Sequence, residues 1–189
     1  MSATLRESTE DKFSGVRGAL MNELVQILVG DGYAAPPKRI LEGLASAESG
    51  EALTHLKPAG APHSIYEELW HVVFWQQITL DWINGTETPY PKSSLDGFPT
   101  VLDMEKEPFA ALCDRFFAGM NTAANAANDV NRHDVEIRCP SRPNQPTRVM
   151  TVIEQLQNLA AHNAYHLGRI VLLRQLAGSW PPASGGDSW

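Results

Sequence analysis

From Val152 to Leu173 apolar residues return every third or fourth position. That period recurs in three other stretches and limits the fold more than any other feature of the chain. At about 100° per residue, Val152, Leu159, His166, Ile170 and Leu173 share one narrow stripe of a helix. The first stretch repeats the spacing in Phe13, Val16, Leu20, Leu24, Ile27 and Leu28. The second does so in Ile65, Leu69, Val72, Val73, Leu80 and Ile83, and the third in Phe109, Leu112, Cys113, Phe116, Met120, Ala123 and Ala127. Strand alternation is nearly absent, so the expected architecture is an all-α four-helix bundle.

Turn and capping residues set the expected boundaries. Residues 12–48 read as one arm, stopped in the middle by Gly30-Asp31-Gly32 and resumed at Pro36-Pro37, where a missing N–H is harmless. Ser64 and Glu67 form a capping box for a second helix that runs to Asn84 and stops at Gly85. A connection rich in Pro and Gly follows to Thr100. The third helix is expected over Met104–Asn128, with Pro108 pushing its true start later. Residues 129–146 read as a long loop with a short extended piece at Val135–Arg138. The fourth helix is expected from Thr147 to Ala177, closed by Gly178. Residues 1–189 read as a single domain in which residues 1–11 and the turn-forming tail 178–189 are peripheral.

Charge and cysteine content remove several function classes. Fifteen Lys and Arg stand against 22 Asp and Glu, a net charge of −7, with no basic stripe. That balance argues against nucleic-acid binding, which needs clustered cations. Cys113 and Cys139 have no CxxC spacing and suggest neither a zinc ribbon nor a disulfide framework. The polar start MSATLRESTEDK has no signal-peptide character, and no apolar run is long enough to span a membrane. A reduced, cytoplasmic protein is the expectation.

The histidines carry the chemistry. His162 and His166 lie one turn apart in "AHNAYHLGRI", with His166 on the inward stripe and His162 about 40° round from it. Side chains at i and i+4 lean over one patch, which suits a two-point clamp for an ion. The same spacing also suits a buried, hydrogen-bonded histidine beside a surface one. The second helix bears a second apolar group, Phe74, Trp75, Ile78 and Trp82, with His71 among it. A helix apolar on two sides is buried on both or meets a partner subunit. Antiparallel neighbours of similar length bring the midpoints of the two helices, and so His71 and the pair, together. Three imidazoles either bind a divalent ion and leave coordination positions open, or are three separately satisfied core groups. His55, His63 and His133 lie in loops or at a helix entry and read as non-ligands.

Two segments, "APHSIYEELWHVVFWQ" and, about ninety residues later, "AAHNAYHLGRIVLLRQL", resemble the DinB-like family, as does the passage "ILEGLASAESGEALTHLKPAGAPHSI". The resemblance spans roughly residues 15–177. It implies a DinB-like four-helix bundle with long loops between helices 2 and 3 and between helices 3 and 4. It also implies a divalent metal, zinc, nickel, iron or manganese, held by His71, His162 and His166. Where family members often carry glutamine, this chain has Arg169, which reads as facing solvent or reaching an anion at the rim of the site.

The resemblance further implies a transferase that activates a small thiol co-substrate against an electrophile, or water in its place. The competing expectation is a non-catalytic metal-binding protein of the stress response. DNA binding, suggested by the family's damage-linked expression, conflicts with the charge. No general base stands out. Glu67 and Glu68, just before His71, can support the ligands but read first as capping and surface residues. The two apolar sides of the second helix, and the resemblance, lead us to expect a homodimer.

Overall fold

The computed structural model describes residues 23–30, 35–46 and 48–185. Phe13, Val16, Leu20 and the peripheral segments 1–11 and 186–189 lie outside the described residues. Residues 23–29 are helical (α1). They are followed by α2 (Pro37–Ile40), α3 (Glu48–His55), α4 (Ile65–Ile83), α5 (Val101–Lys106), α6 (Phe109–Asn128), β1 (Glu136–Cys139), β2 (Arg148–Thr151) and α7 (Val152–Leu176). The chain is mostly helical, as the periodicity requires, with one small sheet.

Helix starts are fixed by short-range chemistry. Ser64, Thr100 and Thr151 each accept from the backbone N–H three residues on, while Glu67, Asp103 and Glu154 close back onto the cap. Each such box satisfies two donors that the first turn leaves without partners. At the other end, Gly85 and Gly178 adopt φ of 83° and 67°, the left-handed region expected for these stops.

Two boundaries differ from the sequence reading. The third stretch breaks into α5 and α6, because Pro108 sits at the N-cap of α6 and the helix begins directly after it. The fourth helix begins at Val152 rather than Thr147. Residues 148–151 pair antiparallel with 136–139, Glu136 opposite Thr151, and this hairpin takes the turn that a helix would have used. The extended piece anticipated at 135–138 is one of its strands.

α4 packs against both α6 and α7, and its two apolar sides are the reason. Tyr66, Leu69, Val72 and Val73 meet Phe109, Leu112, Phe116 and Ile170 in one core cluster. Ile78, Trp82 and Ile83 meet Ala123, Val152, Leu156 and Leu159 in a second. Ile78 and Trp82 are thus buried within a single chain, and Phe74 is half-buried and stacks on Trp70.

The described part of the tail is docked. Buried Arg174 donates to the carbonyls of Ile40 and Ser179, at 2.6 and 2.9 Å, and lies over the Trp180 ring. Among the described residues, no helix is long and apolar enough to cross a membrane.

Ser64→Ala removes the acceptor for the Glu67 N–H at the start of α4. It should lower the unfolding free energy by about 1 kcal/mol in urea denaturation. Thr151→Ala should do the same at α7, and Ser64→Asp, which keeps an acceptor, should lose less.

Candidate metal centre

The packing of α4 on α7 brings His71, His162 and His166 together. One ring nitrogen from each lies within 4.8 Å of the other two. Ring centroids are 5.2 Å apart for His71 and His162, 4.6 Å for His71 and His166, and 4.4 Å for His162 and His166. His166 is buried, and the other two are half-buried. Among the described residues this is the one group of three or more His, Cys, Asp or Glu side chains placed to hold an ion.

Hydrogen bonds orient two of the rings. His71 Nδ1–H donates to the Gly97 carbonyl at 2.7 Å, and His166 Nδ1–H donates to Glu68 Oε2 at 2.7 Å. In neutral imidazole a protonated Nδ1 leaves a lone pair on Nε2. His71 Nε2 therefore faces His162 Nε2, 3.3 Å away. His162 Nδ1 is buried and has no hydrogen-bond partner. With the His71 and His166 lone pairs on Nε2, His162 Nε2 within hydrogen-bond reach of His71, and His162 Nδ1 buried without a partner, the cluster has room for a cation as a further partner.

Electrostatics keep His71 and His162 neutral. Burial lowers the pKa of His71 despite the Gly97 acceptor. Burial, with His166 and His71 alongside, pushes His162 down to about 3. Neutral imidazole is the form that ligates a metal.

Glu68 is where the sequence reading fails. It was expected at the surface; it is fully buried and touches His166. Arg169 takes the second of its two expected placements: it is half-buried, and its guanidinium stands 2.8 Å from an anion, the other Glu68 oxygen. That contact is an ion pair by distance rather than an aligned hydrogen bond. Glu67 is the capping residue expected, and it also pairs with Lys57 at 2.8 Å.

The other histidines stay apart from the cluster. His133 is buried rather than held in a polar loop, and it donates through Nε2 to the Ala127 carbonyl at 2.8 Å. His55 stacks on Tyr66, and His63 stacks on Phe98 with ring centroids 4.0 Å apart. Phe98 in turn stacks on His71.

Two clefts open beside the histidines. One, about 520 Å³, is lined by His71, Trp75, Tyr90, Lys92, Phe98 and Arg142 among others. The second, about 410 Å³, is lined by His162, Trp75, Tyr90, Trp82, Arg148 and Gln155 among others. Another cleft between α1, α2 and α7 has an apolar lining with no titratable side chain and lies apart from the cluster.

A family model described as the DinB superfamily matches residues 38–170, well over half of the chain and inclusive of all three histidines. No curated protein and no solved structure matches.

Removing Glu68 should expose its structural weight independently of any ion. In chelator-treated protein, Glu68→Ala strands Arg169 and the His166 N–H. The loss should be about 3 kcal/mol of unfolding free energy by urea denaturation, whereas Glu68→Gln, which keeps an acceptor, should cost less.

Proposed function

Since the chain belongs to the DinB superfamily, we propose that His71, His162 and His166 hold a divalent transition-metal ion and that the protein transfers a small thiol to an electrophile. The observation that carries the reading is the convergence of three imidazole nitrogens beside two open clefts. Three histidines leave coordination positions free, the donor pattern of catalytic rather than structural sites. A divalent ion held there would supply the positive charge that favours the deprotonated form of a thiol, or water, at neutral pH. Imidazole donors accept zinc, nickel and iron, and manganese more weakly.

The chain's own groups have separate tasks. Gly97 and Glu68 fix the tautomers of His71 and His166, so that both rings present Nε2. Arg169 holds the Glu68 carboxylate in its buried position. Trp75 stands 6.4 Å, centroid to centroid, from both His71 and His162 and shields the cluster where the clefts meet it.

A second reading, binding of the ion without turnover, draws support from one observation: among the described residues, no carboxylate lines either cleft to act as a general base. A thiol whose pKa were lowered by an ion on the three histidines would release its proton to solvent without a side-chain base, so we favour the catalytic reading.

Elemental analysis of purified protein should find one equivalent of divalent metal, lost in His166→Ala and His71→Ala and retained in His55→Ala. Full metal content in His166→Ala would refute the triad. Glu68→Gln should weaken metal affinity about tenfold to a hundredfold, because the supporting acceptor is altered and the ligands remain.

The reaction itself is tested with glutathione, bacillithiol and mycothiol against a model electrophile, comparing metal-loaded with metal-stripped protein. Conjugation in the loaded form alone is expected. Equal rates in both forms for every thiol would leave the non-catalytic reading standing.

A further inference from the structure

The described residues place most of their cations in ion pairs or on carbonyls. Lys57, Arg115, Arg138 and Arg169 pair with Glu67, Glu107, Glu87 and Glu68. Arg39, Arg132 and Arg174 donate to backbone carbonyls. Lys38, Lys92, Lys106, Arg142 and Arg148 do neither among the described residues, and three of them, Lys92, Arg142 and Arg148, line the clefts beside the histidines. Among the described residues, no Asp or Glu lines either cleft.

The segments that bear these cations are anchored. Trp82 Nε1 donates to the Thr88 carbonyl at 2.7 Å, and Thr88 Oγ1 donates to Asp81 at 2.6 Å, which fastens the 85–100 connection to α4. Arg138 on β1 pairs with Glu87 at 2.9 Å and ties the hairpin to the same connection. Arg142 lies 6.0 Å from the Tyr90 ring centre, Tyr90 packs on Trp75 at 5.1 Å, and Trp75 borders His71 and His162. A relay of contacts thus runs from the Arg142 guanidinium, which has no carboxylate partner, to the histidine cluster.

We propose that the cleft beside His71 binds a carboxylate-bearing co-substrate, anchored by Arg142 and Lys92 over the aromatic wall of Tyr90 and Trp75. Guanidinium recognises carboxylate through two parallel N–H donors, and a wall without carboxylates imposes no repulsion on an anion. Arg148, in the cleft beside His162, supplies a second cation for a dianion. The proposal rests on the three histidines being the reacting centre, and the carboxylate belongs to the thiol or to the electrophile.

The test uses succinate, mercaptosuccinate and dimethyl mercaptosuccinate with wild-type protein, Arg142→Gln and Lys92→Gln. Both side chains are exposed, so the variants retain the fold. Calorimetric titration of metal-stripped protein with succinate reads the carboxylate site alone. Titration of cobalt-loaded protein with the two thiols, followed by the sulfur-to-cobalt charge-transfer band, reads the thiol at the centre.

Wild type should bind the diacid thiol at least tenfold more tightly than its diester. Arg142→Gln should lower diacid affinity about tenfold and leave the diester unchanged. Succinate bound in an Arg142-dependent way supports a site open to either co-substrate's carboxylate. Arg142-dependence seen with mercaptosuccinate alone assigns the carboxylate to the thiol.

Equal affinity for diacid and diester, or no change in Arg142→Gln while the band still forms, overturns the carboxylate proposal and leaves the thiol reading intact. Arg142-dependent succinate binding with no band for any thiol does the reverse. Absence of both overturns both.

Discussion

Three imidazoles held edge to edge and largely out of water cannot all carry charge, and the arrangement of α4 against α7 answers that constraint. Desolvation and mutual repulsion hold His71 and His162 in the neutral form. Neutral rings have one donor and one acceptor each, so the structure must supply acceptors that turn the lone pairs inward. The Gly97 carbonyl does this for His71 and the Glu68 carboxylate for His166. Burying Glu68 in turn requires a counter-charge, and Arg169, one turn-fraction beyond His166 on α7, provides it. A fully enclosed carboxylate is tolerable only because both of its oxygens face a donor or a cation.

The core and the centre are therefore built by the same contact. The apolar clusters on the two sides of α4 fix its distance and rotation against α6 and α7. His71 and the pair on α7 meet because that packing sets them at matching depth. The clefts arise where the helices stop covering each other and the two long connections take over. Those connections contribute different materials: backbone and small polar groups at 93–97, cations at Lys92, Arg142 and Arg148.

Helix positions and the three histidines were legible in the chain because both depend on short periods. A stripe at three and four residues, a Ser or Thr with an acid three residues later, and a glycine after the last turn are local signals. The convergence of His71 with His162 and His166 required only the assumption that neighbouring helices run antiparallel. What escaped was set by tertiary partners. Glu68, three residues before His71, looks like first-turn surface until Arg169 is opposite it. The start of α7 slipped from 147 to 152 because residues 148–151 found a strand partner at 136–139. The Thr151-x-x-Glu154 box marked the true start and could have been read. Similarly, Thr100 and Asp103 announced α5, which the periodicity had merged with α6.

Gly97 sits at the join between these two kinds of construction. Its carbonyl holds the His71 tautomer, and a Cβ built on it would approach His71 Nδ1 to 3.3 Å. The short 3-10 turn that ends at Gly97 is also a wall of the cleft beside that histidine. Anyone regrafting this connection to alter what the cleft admits would at the same time be retuning how firmly His71 offers its nitrogen. The shape of this cleft and the orientation of the His71 ring are thus one engineering variable in this protein. Separating them would require a graft that leaves the carbonyl of residue 97 where it is.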